Sequence, residues 1–268
     1  MFDNDARTMQ RIAPLMQRVL IVDPAPASVR LLTDLLRDIS NCQVWTAPDV
    51  RKGFELAERV NPHIIFVEQN ASVDGAAFTH RLRRSNLACR KAPVIMVTSE
   101  ATAAIILGAR DSGVHEFLRK PFTIKDLMRR LEAVTLRSRD WVEAVNYVGP
   151  DRRRFNSGDY TGPLKRNVDQ AETPEMARIV QALKILRSAI GAIDTDPQQA
   201  LRSMQAQAQE LQAAARAIAD IELGLAALAL QKKLLAAKDA KISKQDLQMH
   251  LAELWGFLPA GSDGAAAA

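Results

Sequence analysis

Two acids, a hydroxyl and an amine each stand at the end of a short apolar run. Asp23 follows Val19-Leu20-Ile21-Val22, and Glu68 follows Ile64-Ile65-Phe66-Val67. Thr98 follows Val94-Ile95-Met96-Val97, and Lys120-Pro121 comes after Phe117-Leu118. Runs this short read as buried strands, and stretches of helical periodicity separate them. In an open α/β sheet the carboxyl ends of parallel strands share one edge, so the four side chains are expected to gather there. An acid and an amine brought together at such an edge can neutralise each other as an ion pair.

The elements that must position these groups follow from the same reading. After the first strand, Pro24 can open a helix carrying Val29, Leu32, Leu35, Leu36 and Ile39 on one face. A strand over Gln43–Ala47 precedes a helix with Phe54, Leu56 and Val60, which Pro62 stops. Asp74-Gly75 turns into a helix with Phe78 and Leu82, Pro93 starts the fourth strand, and Gly113 ends a helix from Ala101 to Ser112. A fifth strand, His115–Leu118, leads to a helix over Thr123–Leu136. Such alternation predicts a parallel sheet covered on both faces. Residues 1–17 read as a flexible arm, 18–137 as the α/β domain, and 138–172 as a linker rich in Arg, Gly and Pro. Residues 173–257 read as an alanine-rich helical bundle or hairpin, opened by the Thr173-Pro174 cap pair, and 258–268 as a disordered tail.

Over residues 18–137 the chain resembles the receiver domain of bacterial response regulators, of the chemotaxis-regulator kind. The resemblance implies a flavodoxin-like five-stranded parallel sheet of order 2-1-3-4-5 and a place in phosphorelay (two-component) signalling. In that family two adjacent acids and an acceptor aspartate hold Mg²⁺, and a hydroxyl and a lysine bind the phosphoryl oxygens. Asp23, Glu68, Thr98 and Lys120 correspond to first acid, acceptor, hydroxyl and lysine, with Thr98 and Phe117 as the switch pair. Three departures stand out. Pro24 occupies the second acid's place, the acceptor is a glutamate, and the interval from Glu68 to Asp74-Gly75 is one residue shorter than usual. Proline offers no carboxylate to a hard divalent ion, so no Mg²⁺ cofactor and no phosphorylation are expected. Two readings of Glu68 stand open: imitation of a charged acceptor, or a plain salt bridge with Lys120. A pseudo-receiver acting as a protein-interaction module, not an enzyme, follows.

The linker holds an internal echo, Tyr147-Val148-Gly149-Pro150-Asp151-Arg152-Arg153 and, thirteen residues on, Tyr160-Thr161-Gly162-Pro163-Leu164-Lys165-Arg166. Arg152, Arg153, Arg154, Lys165 and Arg166 put five cations in fifteen residues among Tyr147, Phe155 and Tyr160. Guanidinium forks bind phosphate and aromatic faces stack on bases, so a cyclic dinucleotide is the alternative ligand reading. The competing readings are a solvated linker whose arginines pair with acids such as Asp126 or Glu132, and a contact with an acidic protein or nucleic acid. Bulk properties exclude other classes. The net charge of +5 is too modest to imply nucleic acid, and no helix-turn-helix is seen, so DNA is not expected. No apolar run reaches about 18 residues, so no membrane span is expected. Cys42 and Cys89, and the four histidines, show no metal-ligand spacing, which fits a reducing cytoplasm and no metal centre. Expected partners are other signalling proteins and, through the C-terminal helices, a second copy.

Overall fold

Val19 and Ile21 point to one face of a sheet and Leu20 and Val22 to the other, and all four are buried. Burial on both faces is what an unbroken apolar run means, since successive side chains alternate across a strand. The computed structural model describes residues 2–100, 102–137, 139–152, 173–236 and 243–258. It divides the chain into two units, Met1–Val142 with Tyr147–Tyr160, and Glu143–Asn146 with Thr161–Ala268.

In the first unit, helix α1 (Phe2–Ile12) precedes strand β1 (Arg18–Val22), helix α2 (Pro26–Ile39) and strand β2 (Gln43–Ala47). Helix α3 (Val50–Val60), strand β3 (Ile64–Glu68), helix α4 (Gly75–Arg84) and strand β4 (Val94–Thr98) follow. Helix α5 (Ala103–Ser112), strand β5 (Glu116–Arg119) and helix α6 (Ile124–Thr135) complete the sheet domain. The five strands are parallel in the order β2-β1-β3-β4-β5, as expected. One apolar layer holds Ile21, Leu36, Phe66 and Leu131, and the other Leu20, Leu56, Phe78 and Met96. Each such side chain contributes roughly 1.5–3 kcal/mol by leaving water.

Local chemistry sets the helix ends. Asp49, Asp74 and Thr102 each accept a main-chain N–H at a helix start, and Thr123 forms a capping box with Asp126. Gly113 closes α5 at φ 92°, a left-handed conformation suited to glycine. Helix α2 opens at Pro26 and not at Pro24, which lies in the turn before it.

Two expectations are corrected. The described part of residues 1–17 is not a loose arm: Met9 and Ile12 on α1 and Met16 after it pack into the sheet's core, where Ile12 and Met16 are fully buried. Nor is the segment after residue 137 simply a linker. Trp141–Glu143 (β6) and Val148–Pro150 (β7) pair in a second sheet, and Val145, Tyr147 and Val148 are buried. Apolar side chains spaced through that segment find partners, and the chain orders to bury them.

The second unit contains, among the described residues, helices α7 (Pro174–Gly191), α8 (Pro197–Ile218), α9 (Ile221–Ala236) and α10 (Lys244–Trp255). Thr173 and Asp196 cap α7 and α8, each with proline in the first turn, and Ser243 caps α10. Leu183, Leu186, Met204, Leu211, Leu230 and Leu251 lie in their common core. The α8–α9 break falls at Ala219. The buried row of α9 is Leu223, Ala226, Ala227, Leu230 and Leu234, while Leu225 and Leu235 are exposed. Gln199 Nε2 reaches the Glu143 carboxylate at 3.0 Å, while Ser203 and Gln207 donate to its carbonyl, so one row of α8 holds the Glu143–Asn146 segment. The expected tail, 258–268, lies outside the described residues beyond Leu258. No helix among the described residues is long and apolar enough to cross a membrane.

Candidate functional site

Asp23 is the residue after β1, and its N–H is anchored on the Ala47 carbonyl at 3.0 Å. Its Oδ1 accepts the Ala25 N–H at 2.8 Å, and its Oδ2 accepts the Ser28 hydroxyl at 2.7 Å and the Lys120 ammonium at 3.0 Å. Glu68 ends β3 and is only 3% exposed; its Oε2 is the second carboxylate oxygen bound by Lys120. Lys120 follows β5, with its N–H on the Thr98 carbonyl at 2.7 Å and a cis peptide to Pro121. Parallel register therefore brings three charges from residues 23, 68 and 120 into one cluster at the carboxyl edge.

The two acids respond differently to that setting. Burial pushes the Asp23 carboxyl up, but the Ala25 N–H, the Ser28 hydroxyl and Lys120 outweigh it, and its pKa falls below the usual carboxylate value. Burial also raises Glu68, and here it prevails, because Lys120 is the favourable partner and Asp23 adds repulsion. Burial alone would lower Lys120, yet its two carboxylates raise its pKa, so it stays protonated.

Thr98, at the end of β4, is fully buried and meets the triad through its carbonyl, which accepts the Lys120 N–H, and not through its side chain. Its hydroxyl donates to the Gln69 carbonyl at 2.7 Å and accepts the Glu100 N–H at 3.0 Å. Phe117 is partly buried and packs on the core layer containing Phe78 and Met96. The loop after Glu68 is closed by its own side chains. Asn70 Oδ1 accepts the Ser72 and Val73 N–H groups, and Gln69 Oε1 accepts the Ala76 N–H. Ser28 and Gln69 are the members that sequence reasoning missed. Ser28 sits five residues after Asp23, within the first helical turn, which is the signal that could have found it.

Of the arginine repeat, Arg153, Arg154, Lys165 and Arg166 lie outside the described residues. Arg152 pairs with Asp111 at 2.6 Å, and its guanidinium lies 4.2 Å from the Tyr147 ring centroid. Tyr147 is buried and donates its hydroxyl to the Pro150 carbonyl at 2.6 Å, so its ring is not presented to an incoming base.

The family model for the response regulator receiver domain matches residues 19–132. A probable chemotaxis protein CheY of Rhizobium etli is 31% identical over 118 residues, covering 44% of this chain and 91% of that protein. The DNA-binding dual master transcriptional regulator RpaA of Synechocystis sp. is 31% identical over 124 residues, 46% of this chain and 51% of that one. A solved structure of Vibrio cholerae chemotaxis protein CheY4 matches with a TM-score of 0.41 and 26% identity, over 44% of this chain and 98% of that chain. Through its first unit, the chain belongs to the response regulator receiver family.

Proposed function

We propose that this is a phosphorelay-type signalling protein whose receiver is closed to phosphoryl chemistry and works as a protein-interaction module, joined to a helical output or oligomerisation region. The supporting observation is the double engagement of Lys120 by Asp23 and Glu68. Both oxygens of Asp23 already accept hydrogen bonds, and an ammonium stands between the two carboxylates. A divalent ion would need several oxygens at short range and would meet a cation there, while Pro24 supplies no third acid. The donor set does not fit Mg²⁺. With Thr98 bound to Gln69, a charged acceptor position is imitated by Glu68 and satisfied from within.

The reading makes the domain a signalling module of the cytoplasm, with other signalling proteins as partners and no catalytic turnover. The test is incubation with acetyl phosphate and Mg²⁺ followed by intact-protein mass spectrometry. No phosphoryl adduct is expected; an adduct mapped to Glu68 or Asp23 would overturn the proposal. Glu68→Gln should leave the fold intact and change the set of proteins captured by the receiver. An unchanged set would reduce the Glu68–Lys120 contact to a plain salt bridge.

A further inference from the structure

Helix α9 is apolar on two opposite sides. One row, from Leu223 to Leu234, fills the core of its own bundle. On the other side Ile221, Leu225 and Leu235 are 76%, 62% and 53% exposed, with partly buried Leu228 among them. Positions 221, 225, 228, 232 and 235 are spaced four, three, four and three, the repeat of a two-helix seam, with Lys232 as its polar member. A scattered exposed leucine needs no explanation, whereas a seam-spaced row on a helix already buried by its other side does. Beside the row lies a groove lined by Leu225, Ala226, Ala229 and Phe257, with Glu222 and Glu253 also in its wall.

We propose that a second copy of this chain docks on this face, α9 against α9 in antiparallel fashion, about a two-fold axis near Leu228. Charge selects the direction. Glu222 and Glu253 make one end of the face acidic, and Lys232 lies towards the other. Antiparallel pairing sets each acidic end against the partner's Lys232, and Ile221 against the partner's Leu235. Parallel pairing would bring the two copies of Lys232 together. A two-fold contact uses the same patch on both subunits, so this self-complementary patch completes itself without a third surface. Lys232 in the seam then fixes the register, as a polar residue at a core position does in coiled coils.

The proposal rests on reading the helical unit as an oligomerisation region and is independent of the receiver's chemistry. Sedimentation velocity of the full chain over a concentration series should show a monomer–dimer equilibrium. Leu225→Glu should weaken it by at least about tenfold while the helical circular dichroism is kept. Because Leu225→Glu could disturb folding, the exposed charges provide a second arm. Glu222→Lys and Lys232→Glu should each weaken the dimer, and the two together should restore it. A chain that is monomeric at every concentration would overturn the proposal and leave the phosphodonor result standing. A dimer indifferent to all these changes would overturn the assigned surface.

Discussion

Arg83 Nη2 lies 3.1 Å from His115 Nδ1, at the edge of the first unit's sheet away from Asp23 and Lys120. Arg83 is 1% exposed, and its guanidinium is held by carbonyls in place of a carboxylate. Nε donates to Gly113 at 3.0 Å, and Nη1 donates to Arg90 at 2.6 Å and Ala92 at 2.9 Å. The Trp141 ring covers it, with the guanidinium carbon 5.3 Å from the ring centroid. Burial pushes its pKa down to about 9, which still leaves it charged at neutral pH. One side chain thus joins the end of α4, the connection into β4 and the C-cap of α5.

Arg83→Leu should therefore be among the most damaging single changes in the receiver. It keeps apolar bulk but strips donors from three carbonyls, and each buried group left unsatisfied costs about 1–3 kcal/mol. Urea unfolding should show a loss of at least about 3 kcal/mol. Arg83→Lys should recover only part of that, because an ammonium cannot reproduce the guanidinium fork. Full recovery by lysine would mean that charge, and not the geometry of the fork, is what the site requires.

His115 is held neutral to lower pH than an ordinary surface histidine. Its Nδ1 faces the Arg83 guanidinium and the Val94 N–H at 3.3 Å, so it accepts, and the proton sits on Nε2. Burial, then Arg83 and Arg139, hold its pKa well below 6.5. A neutral imidazole in the fold gives stability that is complete above that value and is lost as pH falls towards the folded pKa. His115→Asn keeps an acceptor near Nδ1 and cannot titrate. Its unfolding free energy should fall less steeply than the wild type's between about pH 6.5 and 5. Parallel slopes would show that His115 is not the source of the acid sensitivity.

The triad and Arg83 differ in how far they can be read from sequence. Asp23, Glu68, Thr98 and Lys120 each end an apolar run, and parallel topology carries run ends to one edge, so local pattern is sufficient. Arg83 lies in Arg81-Leu82-Arg83-Arg84, where one arginine resembles the next. Its burial depends on carbonyls seven, nine and thirty residues away, and no local signal carries that information. Met9, Ile12 and Met16 recur at intervals of three and four, but so short a row ahead of the first strand carries too little periodicity to separate a packed helix from a flexible arm. In helix α9 apolar residues on both sides blur the period, so spacing alone does not tell the exposed row containing Leu225 and Leu235 from the buried one.

Asp23 and Glu68 should respond to neutralisation with opposite signs. Asp23 has a depressed pKa, so its stabilisation is full above 3.8 and is lost as pH falls through the folded value. Glu68 has a raised pKa, so its contribution is full below 4.5 and is lost as pH rises through the folded value. At neutral pH Asp23→Asn should cost about 1.5–3 kcal/mol through its charge-assisted bonds. Glu68→Gln, which leaves Lys120 its Asp23 partner, should match or exceed wild-type stability. Both differences should close in acid. The check is denaturant unfolding across the acid range, and a Glu68→Gln variant as weakened as Asp23→Asn would refute the assignment.

In the helical unit, Ala219 ends α8 at φ 56°. The left-handed region costs a residue with a Cβ roughly 1–2 kcal/mol, and glycine escapes that cost at the expense of extra freedom in the unfolded chain. Ala219→Gly should therefore raise stability by about 0.5–1 kcal/mol, visible as a higher denaturation midpoint at unchanged slope.

Gly75 links the fold to the site. A Cβ at this position would stand 2.6 Å from the Glu68 carbonyl oxygen and 3.2 Å from both methyl groups of Val67. The nearest obstacle is backbone, which cannot swing aside as a flexible side chain does. Gly75→Ala must move the start of α4 off the end of β3, at a cost of about 1–3 kcal/mol for overpacking. Because Glu68 is the strand end being displaced, the main-chain amide signals of Gln69 and Lys120 should shift together in a two-dimensional NMR spectrum. Signals at α6, on the far layer of the sheet, should stay in place. If Gln69 moved while Lys120 did not, the carboxylate–ammonium contact would not be tied to the position of the strand end.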